Sequence, residues 1–87
     1  MHAVFRKQFK KTYNDLRAGE KDKCDKRLKL FEEDPFHPIL NNHKLYGEYN
    51  GCRSINITGD LRAIYKPLKD EGVAYFIELD THSNLYD

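Results

Sequence analysis

Eighty-seven residues leave room for one small domain, and 39% apolar content with 13% aromatics makes a packed core feasible while excluding a disordered chain. A net charge of +1 excludes a strongly polybasic or polyacidic protein, and two isolated cysteines without CxxC spacing exclude a zinc ribbon or a disulfide framework. No apolar stretch reaches the length of a membrane span or a signal-peptide core, so a cytoplasmic protein is expected.

Charge is unevenly placed. Residues 1–42 hold ten Lys/Arg against seven Asp/Glu, and residues 43–87 hold five against seven. The basic groups gather on two predicted helices, as Arg6, Lys7, Lys10 and Lys11 and then Lys21, Lys23, Lys26, Arg27 and Lys29. Such a pattern suits either a polyanion-facing surface or an ordinary solvated helix face.

In chain order, His2–Phe5 is mildly β-prone and predicts an edge strand. Phe5, Phe9, Tyr13 and Leu16 recur at helical spacing, predicting a helix over about Arg6–Arg17 that stops at Ala18-Gly19. A second helix is expected over about Glu20–Glu32, with Cys24, Leu28 and Phe31 on one face. Two prolines in Asp34-Pro35-Phe36-His37-Pro38 exclude helix there, and Ile39–Tyr49 reads as a connecting loop.

The alternation over residues 52–57 predicts a strand with Ile55 and Ile57 inward and Ser54 and Asn56 outward. Thr58-Gly59-Asp60 is turn chemistry, and Leu61–Tyr65 is a second β-prone run, together giving a hairpin. Arg53, Asn56, Asp60 and Arg62 are expected on its outer face. Lys66-Pro67 and residues 69–72 read as another turn. Val73–Leu79 then predicts a strand with Val73, Tyr75, Ile77 and Leu79 facing one way and Ala74, Phe76 and Glu78 the other. Helices followed by a strand meander make an α+β domain over 1–87: two N-terminal helices on a small, mostly antiparallel sheet of three to five strands.

Four histidines occur, none at i, i+4 spacing and none near a cysteine, so no metal site and no cofactor are expected; phosphate-cradling glycine loops and nucleophile elbows are also missing. Metal-free acid–base chemistry by His, Asp, Arg and Tyr is left. The pattern His43-Lys44-Leu45-x-Gly47-x-x-x-Gly51-x-Arg53, then Gly59-Asp60-x-Arg62-x-Ile64-Tyr65, ending Thr81-His82-Ser83-x-Leu85-Tyr86, resembles the RelE/ParE toxin superfamily, and within it the YafQ-type mRNA interferases of bacterial type II toxin–antitoxin systems.

That resemblance implies a ribosome-dependent endoribonuclease that cuts mRNA by attack of the 2′-hydroxyl on the adjacent phosphate, without a metal. By position it implies catalytic roles for His43, Asp60 and His82, transition-state stabilisation by Arg62, and base stacking or proton transfer by Tyr86. Arg53, Asn56 and Lys44 are expected to contact substrate. Asn56 stands where YafQ-type proteins carry a further histidine, and an amide cannot shuttle a proton. The implied partners are a cognate antitoxin, the ribosome and mRNA, with operator DNA bound through the antitoxin. The other reading on the same fold is a non-catalytic or ParE-like protein acting by protein binding, on DNA gyrase or another target. The set His43, Asp60 and His82 argues against it.

Overall fold

A computed structural model of the chain describes residues 1–68, 72–81 and 84–85. The aromatic and β-branched runs form five strands: β1 (His2–Phe5), β2 (His43–Lys44), β3 (Arg53–Asn56), β4 (Leu61–Leu68) and β5 (Val73–Thr81). They lie side by side in the order β1-β5-β4-β3-β2; β1 runs parallel to β5 and every other pair is antiparallel. The helices α1 (Lys7–Asn14) and α2 (Ala18–Glu33) cover one face of this sheet. The architecture is the expected α+β one, and β1 is the expected edge strand.

The core lies between helices and sheet. Phe9 of α1 and Cys24 and Phe31 of α2 are buried against Ile55, Ala63, Tyr65, Ala74, Phe76 and Leu79. Phe76 is its centre, with the rings of Phe5, Phe9, Phe31 and Tyr65 at 5.2–5.6 Å from its own. Offset and edge-to-face rings at this spacing add about 0.5–1.5 kcal/mol per pair beyond their buried area. In a chain this short, aromatics do the work that aliphatics do in larger cores.

Several boundaries differ from expectation for identifiable reasons. Ala18-Gly19 opens α2 instead of ending α1: the Glu20 carboxylate accepts a hydrogen bond from the Arg17 backbone N–H at 3.2 Å, an N-terminal capping contact. The first helix ends at Asn14, three residues short of the expected Arg17. Ile39–Tyr49 is not plain loop, because it contains β2 and two short 3₁₀ turns at Pro38–Leu40 and Gly47–Tyr49. Lys66-Pro67 is strand, not turn. Beyond the last β3–β4 pair, Arg53 with Tyr65, strand β4 has a neighbour on one side only, so a residue without an N–H is tolerated at 67.

The difference that matters most for the site is in β5. Tyr65 pairs with Phe76 but Ile64 pairs with Glu78, so Ile77 is an extra residue, a β-bulge. Alternation restarts after it. Leu79 thus joins Ala74 and Phe76 in the core, contrary to the plain period-2 reading, and Glu78 and Asp80 turn to the opposite face. An unbroken alternation would have pushed the Glu78 carboxylate among aromatic rings, at a desolvation cost the fold avoids.

Candidate active site on the open face of the sheet

The sheet face away from the helices carries a smaller apolar cluster, Leu45, Cys52 and Ile64, flanked by Tyr49, Ile77 and Leu85. Polar side chains surround it in two cross-strand rows. One row runs His43, Ser54, Ile64, Glu78 from β2 to β5; the next runs Asn56, Arg62, Asp80 from β3 to β5. Paired residues of adjacent antiparallel strands project to the same side, so both rows share this face.

His43 is half-buried, and its Nδ1 lies 2.8 Å from the carbonyl oxygen of Asn41. A carbonyl only accepts, so Nδ1 carries the proton and Nε2 is the ring atom left for proton transfer. Asn41 itself adopts a left-handed conformation (φ 45°), which folds its carbonyl back toward the ring. The short strand β2 and this turn together fix the imidazole.

Arg62 is also half-buried. Its Nη1 donates to the carbonyl oxygens of Thr58 (2.9 Å) and Leu61 (3.3 Å), fastening the β3–β4 turn. Among the described residues no carboxylate forms an ion pair with it, so neither Asp60 nor Glu78 neutralises the guanidinium. Nε and Nη2 remain as donors for an anionic group. In the same turn, the Thr58 hydroxyl accepts from the N–H groups of Asp60 (3.2 Å) and Leu61 (2.9 Å), leaving the Asp60 carboxylate exposed at the tip.

Asn56 pairs with Arg62, and its side-chain oxygen is buried without a hydrogen-bond partner among the described residues; the hydroxyl of Ser54, which is fully buried, is in the same condition. Native chains keep a few such groups. Glu78, Asp80 and Tyr49 complete the surroundings. Burial, and then the nearby Glu78 carboxylate, push the Tyr49 phenol above its ordinary pKa, so it remains a hydroxyl donor at neutral pH. Asp80 is committed to structure: its Oδ1 accepts from the Thr81 N–H at 2.7 Å and from the Asn84 side chain at 3.1 Å.

Two expected contacts belong elsewhere. Arg53 pairs with Tyr65 and lies on the helix side of the sheet, not on the outer face with Asn56 and Arg62. Its Nε donates to the Asn42 side-chain oxygen at 2.7 Å, and its guanidinium carbon lies 5.2 Å from the centre of the Phe36 ring. Asn42 in turn donates to the Pro35 carbonyl (2.9 Å) and the Tyr65 hydroxyl (2.8 Å), so Arg53 anchors the loop before β2. Lys44 pairs with Arg53 and is exposed at the sheet edge. Position in the chain already separated Arg53 from Asn56, since odd and even residues of one strand face opposite ways. His82 and Tyr86 lie outside the described residues.

Glu78 and Tyr49 were not singled out from the sequence. The available signal was a carboxylate at a position that period-2 alternation assigns to the core, which is itself a reason to expect a bulge. Among the described residues, no group of three or more His, Cys, Asp or Glu side chains is placed to hold a metal ion. None of the helices described is long and apolar enough to cross a membrane.

The comparisons with known proteins agree with this architecture. YafQ from Escherichia coli strain BL21(DE3) superposes with a TM-score of 0.76 at 20% identity, covering 98% of this chain and 97% of that one. A YoeB/ParE toxin from Agrobacterium tumefaciens superposes with a TM-score of 0.77 at 20% identity, covering 94% and 99%. The E. coli DinJ–YafQ complex contains a similar chain, with a TM-score of 0.74 at 20% identity over 98% and 97%. No curated protein sequence matches. At these identities the structural likenesses speak for the fold alone. The family model described as "Bacterial toxin of type II toxin-antitoxin system, YafQ" matches residues 1–87, and the chain therefore belongs to the YafQ family of type II toxin–antitoxin toxins.

Proposed function

We propose that this chain is an endoribonuclease that cleaves mRNA on the ribosome by metal-independent transphosphorylation. The observation that carries the reading is the open face itself. An imidazole with Nε2 available and a guanidinium with no carboxylate partner among the described residues share it. A phosphodiester fits that set.

The reaction needs a base to take the proton from the 2′-hydroxyl as its oxygen attacks phosphorus. It needs cationic donors on the phosphorane oxygens and an acid that protonates the departing 5′-oxygen. Products are a 2′,3′-cyclic phosphate and a free 5′-hydroxyl. Proton transfer is drawn from His43, His82 and Asp60, and Arg62 meets the developing charge. Asn56 positions substrate through its amide, and Tyr86 stacks on a base or assists proton transfer. Arg53 acts on the site only through the loop it anchors.

The exposed stripe Arg6, Lys7, Lys10 and Lys11, free of ion pairs among the described residues, supports attachment to a polyanion such as ribosomal RNA. The complex formed by E. coli YafQ with DinJ supports a cognate antitoxin as the partner that silences this chain, with operator DNA bound through that antitoxin. The cytoplasm is where such partners meet.

Expression without an antitoxin should arrest growth, with mRNA cut at discrete in-frame positions. His43→Ala and Arg62→Ala should each relieve the arrest. Intact mRNA accompanied by DNA breaks would instead point to a gyrase-directed, ParE-like protein. Full toxicity of both variants would overturn the site.

A further inference from the structure

We propose that Glu78 is a catalytic residue of this site, the carboxylate that takes the proton from the attacking 2′-hydroxyl. The assignment rests on the RNA-cleaving reading; within its proton-transfer set it makes His43 the acid and adds Glu78 as the base, a role that Asn56, an amide, cannot fill.

The β-bulge at Ile77 is the geometric basis. Without the extra residue Glu78 would face the helices; with it, Glu78 pairs with Ile64 on the open face. It then ends the row that begins at His43, three strand spacings away, a Cα separation of about 14 Å at roughly 4.8 Å per strand. Arg62 sits on β4 between those ends, one register step along. That span accommodates a ribose and its phosphate, with one titratable group at each side and the guanidinium at phosphorus. Bulges recur where a strand must re-aim a side chain at a functional site.

The surroundings suit a base. Glu78 is half-buried and, among the described residues, forms neither an ion pair nor a side-chain hydrogen bond. The charged and titratable groups that face it are Tyr49 from the 3₁₀ turn, Arg62 and Lys66 from β4, Asp80 from its own strand and His43 across the row. Asp80 is held by the Thr81 N–H and Asn84, whereas Glu78 is uncommitted. A carboxylate left unpaired on a face meant for RNA repels its ligand unless it does something for the reaction.

In the step, a Glu78 oxygen accepts the 2′-hydroxyl proton while the O2′–P bond forms. The P–O5′ bond breaks, and the 5′-oxygen takes a proton from Nε2 of protonated His43. Electrons and protons balance without a co-reactant.

The test is single-turnover cleavage of mRNA in programmed ribosomes by the full chain. Glu78→Gln, nearly isosteric, should lower the maximal rate about 10²–10⁴-fold, the usual range for losing an acid or base, with half-saturation changed less than about twofold. Glu78→Asp, which keeps the carboxylate, should fall between wild type and Glu78→Gln even if the latter folds poorly. A substrate whose 5′-bridging oxygen is sulfur needs no proton on its leaving group. It should rescue His43→Gln and fail to rescue Glu78→Gln. Cleavage by Glu78→Gln at or above the wild-type rate, a loss confined to half-saturation, or rescue by the sulfur substrate would each overturn the assignment. If His43→Gln and Arg62→Ala are impaired while Glu78→Gln is not, only this inference fails. If the wild type does not cleave RNA, the functional reading fails and takes it along.

Discussion

Arg62 gives the most discriminating prediction, because its hydrogen bonds give it a structural job and the proposed function gives it a catalytic one, and separate measurements can pull the two apart. Its Nη1 fastens the β3–β4 turn through the carbonyls of Thr58 and Leu61, and its other nitrogens are available to phosphate. Arg62→Ala removes both. Hydrogen bonds from a charged donor contribute about 1.5–3 kcal/mol when shielded, but these carbonyls lie at a half-exposed turn that water can reach, so a loss of about 1–2 kcal/mol is expected. For a domain of this size that lowers Tm by roughly 4–16 °C. Total stability should be about 4–13 kcal/mol at the usual 0.05–0.15 kcal/mol per residue, so the variant stays folded. The catalytic loss should be far larger, about 10²–10³-fold for one preorganised donor on developing charge. Arg62→Lys keeps the charge but not the fork, and should recover only part of either quantity. Thermal unfolding and ribosome-programmed cleavage, run below the variant's transition, report the two effects independently. Cleavage within about threefold of wild type, alongside the stability loss, would reduce Arg62 to a turn staple and refute the reasoning.

Further outcomes are expected elsewhere in the fold. The Tyr13 hydroxyl donates to Asp25 at 2.6 Å, and this hydrogen bond, followed by burial, pushes the phenol up to about 12. A raised folded-state value favours the fold below the free phenol's pKa near 10 and fades as pH climbs from there to about 12; Asp25→Asn should bring the phenol back down in an ultraviolet titration, and an unchanged midpoint would contradict the contact. Burial raises the Cys24 thiol to about 12 and leaves it 0% exposed, so in a Cys52→Ser variant thiol reagents at pH 8 should label it only at the rate of unfolding; prompt labelling of that folded variant would refute its placement. Gly51 has φ +89° with open space around a would-be Cβ, so Gly51→Ala should destabilise through backbone strain alone, by about 1–2 kcal/mol in urea unfolding, and a neutral effect would argue against this turn.

Much of this was legible in the sequence because single periodicities governed it. The stripe Phe5, Phe9, Tyr13 and the pair Ile55, Ile57 each pack where spacing puts them. What failed to read were places where a second constraint overrode the local one. Ala18-Gly19 has the composition of a helix end, yet Glu20 caps Arg17 and makes it a beginning. Strand β2 is two residues long, too short for any period to show, and exists because β3 offers it an edge. Leu79 and Glu78 exchange faces because of one inserted residue in the pairing, which only the partner strand reveals. The proposed site divides the same way: His43, Asn56, Asp60 and Arg62 came from the family resemblance, Arg53 belongs to a loop anchor on the other side, and Glu78 became visible only with the register.

The reading of this chain as a ribonuclease is tested most directly by the chemistry of the cut ends. Purified protein added to ribosomes carrying a defined mRNA, in the presence of EDTA at a magnesium level that keeps the ribosomes intact, should yield fragments within the A-site codon. One new end should be a 2′,3′-cyclic phosphate and the other a 5′-hydroxyl, by mass spectrometry. Intact mRNA, or fragments with 5′-phosphate ends, would contradict it.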